Sequence, residues 1–489
     1  MQGGIRPDGD LWCGPSTSGV LYMPDQSFRT MLANMEQQGE MIRFTKEVDP
    51  LTNMAAVEWR AYNELGKASL FTNIAGHPGW QACSQIVADR RKWSIGLGID
   101  EDQLLDQIGA RFDRGIAPVA VDAGTAPVKE VIITGDDVDI LEIPSLFTSE
   151  HDGGRYLASG IAVIKDPETG LRNVSIHRQQ VTGKNKTGFI MLPRQARRIF
   201  DKYKARGEAM PVAIFFGCHP AIFYAAAFTT DFGRDELSLA GGLLGEPVRM
   251  VKCETNDLEV PAEAELVLEG EVPTDELEPE GPYGEVTGTY NAGGTSEIFK
   301  VNAVTRRRDP IFYALHCGAP VTDAQATMGL GIEVATKNHL STVEGGIELI
   351  DVRSVTAAGD MMLVLKLRPR QPGQAKTALM AALSGPYLHP KLAIAVDEDI
   401  DAADLRQIAW SMVTRVHATD DVTMIPNTRV FALDSISPNV PGMGQFTRLG
   451  TKWLIDATIP AHLSDDERQE FMAAYPKNYD QVRLEDFLP

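Results

Sequence analysis

An α+β fold built from three successive segments is predicted for this 489-residue chain, and three observations carry the prediction. Helical and strand patterns alternate up to about residue 120, short strand-type runs dominate from there to about residue 317, and a mixed pattern returns after residue 318. The expected boundaries are an arm over 1–26, an α/β segment over 27–122, a strand-rich segment over 123–317, a C-terminal α/β segment over 318–455 and a tail over 456–489.

Residues 1–26 are rich in Gly, Pro and Ser and lack an apolar period, which reads as an arm. Ser27 can cap a helix whose apolar face is Phe28, Met31, Leu32 and Met35. A further helix is expected over Asp102–Arg111. In the middle segment the strand runs are Val131–Ile133, Gly160–Ile164, Asn173–Val181, Val212–Phe216, Ala264–Leu268 and Phe299–Val304, with a hairpin turn over Asp166–Gly170. One helix starts after Pro193, with Ala196, Ile199, Phe200 and Tyr203 inward and Gly207 as its stop. Another starts near Glu236, with Leu237, Ala240 and Leu244 inward. Many strands with few helices favour a small barrel over a doubly wound sheet. In the last segment Lys391–Val396 reads as a buried strand. Asp401 is the expected cap of a helix with Leu405, Ile408, Ala409, Met412 and Val413 on its apolar side. The loop over 437–450 is a candidate lid.

A net charge of −21 argues against nucleic acid or an anionic membrane as partner. No apolar run of about 18 residues exists, and no basic-then-apolar N-terminal pattern marks a signal peptide. Five scattered cysteines without Cys-x-x-Cys read as reduced thiols, so the expected location is the cytoplasm. Dinucleotide, Walker A, Gly-x-Ser-x-Gly and His-Glu-x-x-His patterns are all missing.

What remains is Glu280-Gly281-Pro282-Tyr283-Gly284-Glu285 together with Arg178. Residues five apart on a straight strand face opposite ways, but Gly281, Pro282 and Gly284 permit a kink that turns both acids to one place. An arginine beside two acids offers a fork for a carboxylate and a group that carries a proton. A surface turn with two solvated glutamates is the plain alternative.

Asn173-Val174-Ser175-Ile176-His177-Arg178-Gln179-Gln180-Val181, followed by Gly183-Lys184-Asn185-Lys186, resembles the signature strand of the UbiD-type decarboxylases. Val251–Asp257, Leu277–Glu285, His389-Pro390-Lys391, Val396–Asp401 and Leu454–Thr458 resemble the same family in the same order. The resemblance implies a central split β-barrel of flavin-reductase type for the cofactor and a C-terminal segment for self-association as a homodimer or higher oligomer. It implies prenylated FMN, supplied by a flavin prenyltransferase, with Mn²⁺ or Mg²⁺ and K⁺ at its phosphate. Metal ligands carry over to Asn173, Gln195 and Glu236, where Gln195 departs from a histidine usual in the family. Cofactor contacts carry over to Ser175, Ile176, His177, Arg178, Arg194, Ala226, Ala227, Phe228 and Lys391. Met328 and Leu330 are expected in the substrate pocket. The implied reaction is reversible release of CO₂ from an aromatic or conjugated acid, with Arg178 and Glu280 orienting the carboxylate and Glu285 protonating carbon. Two rival readings stay open: an oxidoreductase using unmodified FMN, and a non-catalytic subunit of a carboxylase complex.

Asn173 and Arg178 pose a geometric problem, because one continuous strand puts them on opposite faces. A bulge, a strong twist or reach over an edge has to intervene.

Overall fold

Helix α1 (Phe28–Gln37) begins at Ser27, whose hydroxyl accepts from the Arg29 amide at 3.2 Å, and it buries Phe28, Met31, Leu32 and Met35. The sequence predicts this face and this cap. The computed structural model describes residues 26–112, 114–228, 233–343, 346–443 and 447–488. The expected arm, including Cys13, lies outside the described residues except for Gln26, whose buried amide donates to Glu246 and to the Pro247 carbonyl. Helices α1 and α2 (Met54–Leu65) pack on a four-stranded sheet of Met41–Phe44, Ala68–Phe71, Gln81–Ser84 and Ile311–Tyr313. Its last strand arrives from some 230 residues downstream and pairs in parallel with Gln81–Cys83, locking this unit to the end of the middle segment. Helices α3 (Arg90–Leu97) and α4 (Leu104–Phe112) follow, the second close to its predicted position.

The middle of the chain forms a ten-stranded sheet. Its main ladder runs Tyr156–Leu157, Gln179–Gly183, Lys186–Phe189, Gly294–Arg306, Leu266–Val272, Met210–Phe216, Ile161–Lys165, Arg172–Ile176, and both Leu277–Glu280 and Val131–Thr134 also pair with the long Gly294–Arg306 strand. The predicted hairpin forms, joining Ile161–Lys165 to Arg172–Ile176. The single strand predicted over Asn173–Val181 does not. It is two strands near opposite ends of the ladder, with only His177 and Arg178 between them. The three Cα steps from Ile176 to Gln179 span at most roughly 10 Å, so the ladder has to curl until its ends approach. The ends do not pair among the described residues, so the sheet stays open and no closed barrel forms.

Helix α5 (Gln195–Arg206) buries Ala196, Ile199 and Phe200 and stops at Gly207, which takes a left-handed φ of +69°. Helix α6 (Pro220–Ala227) and helix α7 (Glu236–Leu244) are buried almost all round. One continuous apolar core runs from α1 through α6 and α7 into the C-terminal helices α8 (Asp323–Leu340) and α9 (Gln374–Leu383).

The C-terminal sheet has the order Leu349–Ser354, Met362–Leu367, Leu392–Val396, Arg448–Ala457, Val422–Val430, and the predicted buried strand is its centre. Helix α10 (Leu405–Thr414) corrects two expectations. Its cap is Asp404, which accepts from the Arg406 amide at 2.9 Å, and not Asp401. Only Ile408 and Ser411 are buried, whereas Leu405, Ala409 and Val413 face out, Val413 being 84% exposed. The loop expected over 437–450 ends sooner, since Arg448 already starts a strand; residues 444–446 lie outside the described residues. Among the described residues, no helix is long and apolar enough to cross a membrane.

Candidate active site

Where the central sheet meets α6, α7 and the C-terminal segment lies a cavity of about 350 Å³, within the size range of small-molecule and cofactor sites. Arg178 enters it from the two-residue break between Arg172–Ile176 and Gln179–Gly183. That break resolves the geometric problem: Asn173 sits on one strand and Arg178 beyond its end, so both reach the same cavity.

Glu280 ends an edge strand, and Glu285 follows the short pair Tyr283–Gly284 with Tyr290–Asn291. Between them Gly281 takes φ +81°, and a Cβ there would stand 2.8 Å from the Gly293 Cα, so only glycine fits. The Gly281–Pro282 peptide is cis. Two partners outside the hexapeptide hold the bend. Gln180 Oε1 accepts from the Gly281 amide at 3.0 Å while its Nε2 donates to the Gly153 carbonyl, and Asp152 accepts from the Gly284 and Ser149 amides at 2.8 and 2.9 Å.

The bend delivers both acids to one guanidinium. Arg178 donates through Nε and Nη2 to the two Glu280 oxygens at 2.9 and 2.8 Å, and through Nη1 to Glu285. Its guanidinium carbon lies 4.8 Å from the centre of the buried Tyr283 ring. Burial works against the charge, but the two carboxylates outweigh it and hold the Arg178 pKa above its ordinary value. Of five N–H groups, one on each terminal nitrogen stays available for a ligand carboxylate. Glu280 backs Arg178 from behind; Glu285 lines the cavity itself.

A second cluster stands where the N-termini of α5 and α7 converge on Asn173. Asn173 Nδ2 lies 3.3 Å from Gln195 Oε1 and 3.2 Å from Glu236 Oε1, and Glu236 Oε2 accepts from the Val174 amide. Turning the Asn173 amide over is sterically neutral and presents Oδ1 to the same space. The donor set is then three oxygens, one of them a carboxylate, which suits a hard divalent cation. Burial lifts the Glu236 carboxyl to about 7. Both helix N-termini favour an anion beside that cation. Next to the cluster, Ser175 Oγ lies 2.9 Å from His177 Nε2, and His177 Nδ1 donates to the Ile190 carbonyl at 3.0 Å.

Ile176, Arg194, Ala226, Ala227, Phe228 and Met328 also line the cavity, as the sequence leads one to expect. Two expected residues do not. The Lys391 ammonium is engaged by Asp434 at 3.0 and 3.1 Å, away from the cavity wall. Leu330, one face further round α8, lines a separate cavity beside Arg90 and Glu333. Sequence reasoning gave no role to Gln180, Asp152, Cys317, His389, Phe431 or Leu433. Gln180 and His389 lie inside quoted motifs, but only contacts across more than 100 residues reveal what Gln180 and Asp152 hold.

The curled sheet thus carries an Arg–Glu–Glu cluster beside three side-chain oxygens, and comparison with known proteins places the chain. Residues 32–112, 119–320 and 326–457 match the N-terminal, Rift-related and C-terminal domains of the 3-octaprenyl-4-hydroxybenzoate carboxy-lyase family. Phenolic acid decarboxylase of Bacillus subtilis (strain 168) is 33% identical over 453 residues, covering 90% of this chain and 93% of that protein. The UbiD-class enzyme HmfF from Pelotomaculum thermopropionicum in complex with FMN superposes with a TM-score of 0.84 at 30% identity, over 94% of this chain and 100% of the other; an evolved dimeric form of it is known with prFMN. Apo 3,4-dihydroxybenzoic acid decarboxylase (AroY) of Klebsiella pneumoniae gives 0.83 at 28% identity, over 95% and 99%. This chain belongs to the UbiD family and is a carboxy-lyase.

Proposed function

We propose that the protein removes CO₂, reversibly and without net oxidation, from an aromatic or conjugated unsaturated carboxylic acid with prenylated FMN as cofactor. The observation that carries this reading is Arg178 clamped between Glu280 and Glu285 at the edge of a cavity that also holds the Asn173, Gln195 and Glu236 oxygens. The residues fit the cofactor. An oxygen donor set at two helix N-termini suits a Mn²⁺- or Mg²⁺-bridged phosphate, and Ile176, Ile190, Leu315 and Phe228 offer apolar walls to a flat ring system. Carbonyls near Ala226 and Phe228 close the last turn of α6, where helix carbonyls lack intrahelical partners, and are the proposed K⁺ ligands. Arg194 and the Ser175–His177 pair complete the phosphate side.

Prenylated FMN, when bound, supplies a carbon framework that accepts the electron pair left by the departing carboxyl. Glu280 fixes the Arg178 guanidinium through its paired hydrogen bonds, which sets the plane in which a substrate carboxylate docks on the free N–H groups. Once CO₂ has left, Glu285 delivers its proton to the vacated carbon and regains one from solvent, so R–COO⁻ and H⁺ become R–H and CO₂. In the reverse direction Glu285 takes the proton. Tyr283 and the Asp152 contacts keep the hairpin, and hence Glu285, in place.

The decarboxylase names of the B. subtilis and K. pneumoniae relatives support an aromatic acid, and the FMN and prFMN complexes of HmfF support the cofactor. Segments 27–122, 123–317 and 318–455 are proposed as N-terminal, cofactor and self-association units of a homo-oligomer. The outward apolar stripe Leu405, Ala409, Val413 supports the last of these. The test is co-expression with a flavin prenyltransferase, anaerobic purification and a screen of aromatic acids for CO₂ release. Prenylated flavin in the protein with CO₂ release supports the reading. A fully loaded protein inert toward every acid rejects it.

A further inference from the structure

The contacts of Gln180 and Asp152 support the acid-bearing bend only as far as Gly284. Beyond it Glu285 opens a turn over 285–289, in which the Glu285 amide donates to the Thr289 carbonyl and the Gly288 amide to the Glu285 carbonyl, both at 2.9 Å. The proton that Glu285 is proposed to deliver goes to carbon. A carbon centre does little to draw an acid into line, so the protein itself has to hold the donor in the reacting geometry.

What holds this turn comes from the C-terminal segment. Thr322 and Gln325 form a capping box at the start of α8, where Gln325 Oε1 accepts from the Thr322 amide at 2.8 Å and from the Thr322 hydroxyl. A glutamate would serve such a box equally well. Glutamine adds two N–H groups, and Gln325 Nε2 donates to the Val286 and Gly318 carbonyls, both at 2.9 Å. The side chain is 0% exposed, and its two acceptor and two donor positions are all engaged. Val286 follows Glu285 and Gly318 follows Cys317, so both N–H groups are committed to backbone next to residues that line the cavity. Packing closes on the same turn. A Cβ at Gly359 would stand 2.7 Å from the Thr287 carbonyl oxygen, and one at Gly288 would stand 2.9 Å from Pro320 Cδ.

We propose that Gln325 is a positioning residue for Glu285: through the Val286 carbonyl, the first helix of the C-terminal segment holds the proton donor against the site built by the central sheet. This rests on the decarboxylase reading above. Arg178 has its own support in Glu280, and the Asn173, Gln195 and Glu236 oxygens stand on other elements, so Gln325 acts on the delivery of the proton and not on the binding of acid or cofactor.

The test uses cofactor-loaded wild type, Gln325→Glu and Gln325→Leu, with cinnamate, 4-hydroxycinnamate and 4-hydroxybenzoate as the acids. Gln325→Glu keeps the oxygen to which Thr322 donates and, ionised at the alkaline end of the pH range, has no hydrogen to give. Gln325→Leu removes both roles. The measurements are kcat and KM, flavin content per chain, and amide deuterium exchange of peptides covering 283–291 and 323–340. The expected result is a fall in kcat of roughly ten- to hundredfold in both variants, with KM within about twofold of wild type and flavin content unchanged. Exchange quickens over 283–291 in both, while 323–340 stays protected in Gln325→Glu. Should Gln325→Leu fail to fold, Gln325→Glu decides alone. A wild-type kcat in Gln325→Glu overturns the proposal, since capping α8 would then be all that Gln325 does. Unchanged exchange over 283–291, or exchange that quickens equally over 323–340, overturns it too. So does a fall in kcat accompanied by loss of flavin or a raised KM. If wild type decarboxylates none of the three acids, the decarboxylase reading fails on them and exchange decides the inference: quickening confined to 283–291 in Gln325→Glu supports it, and any other pattern overturns it.

Discussion

Arg178 and Glu280 form two parallel N–H···O bonds, Nε to Oε1 at 2.9 Å and Nη2 to Oε2 at 2.8 Å, across 102 residues of sequence. The geometry fixes the guanidinium plane. Removing one member of such a buried pair leaves the other charge only partly compensated. Glu280→Ala is expected to lower stability by about 3 kcal/mol and to cut decarboxylation at least as steeply as it lowers stability. Urea denaturation and initial rates measure the two effects.

Glu285 is the proposed proton donor and touches Arg178, but it lies apart from the cation cluster. Glu285→Gln preserves its shape and cannot deliver the proton. Flavin content should match wild type while turnover falls about 10²- to 10⁴-fold. Near-normal turnover in that variant removes Glu285 from the chemistry.

The cation cluster should titrate. Burial raises the Glu236 carboxyl to about 7 in the cation-free protein, so it carries a proton below that pH and is anionic above it. A divalent cation has to displace the proton. Mn²⁺ affinity is therefore expected to drop about tenfold per pH unit below 7 and to level off above it. Isothermal titration at several pH values reads the slope, and Glu236→Ala should flatten it.

Val413 stands out into solvent from α10 at 84% exposure, in line with Leu405 and Ala409. Val413→Asp should leave the stability of the subunit within about 0.5 kcal/mol, as exposed substitutions do, and shift sedimentation toward the monomer. An unaltered oligomer places the self-association surface elsewhere.

The α10 stripe also shows what periodicity reads. Leu405, Ile408, Ala409, Met412 and Val413 recur at helical spacing, and the helix forms. Of these, Ile408 is buried and Met412 packs half-buried against the core, while Leu405, Ala409 and Val413 face out, because a hydrophobic period marks a face to be covered without saying by what. Lys391 lies off the cavity wall for a different reason. Its place beside the motif residues says nothing of Asp434, 43 residues on, which holds its ammonium.

Local signals were enough for much else. Ser27 and Gly207 mark their helix ends, the Asp166–Gly170 turn makes its hairpin, and Gly281 makes the bend between two acids, because caps, turns and left-handed φ values depend on a few adjacent residues. From sequence alone, then, came the three-part α+β order and the identity of Arg178, Glu280, Glu285, Asn173, Gln195 and Glu236 as residues to watch. Tertiary structure decided that the strand breaks at His177–Arg178, that the sheet curls without closing, and that His389 rather than Lys391 looks into the cavity. Those outcomes depend on strand pairing and burial between residues far apart in the chain, and such long-range contacts leave no local trace in the order of amino acids.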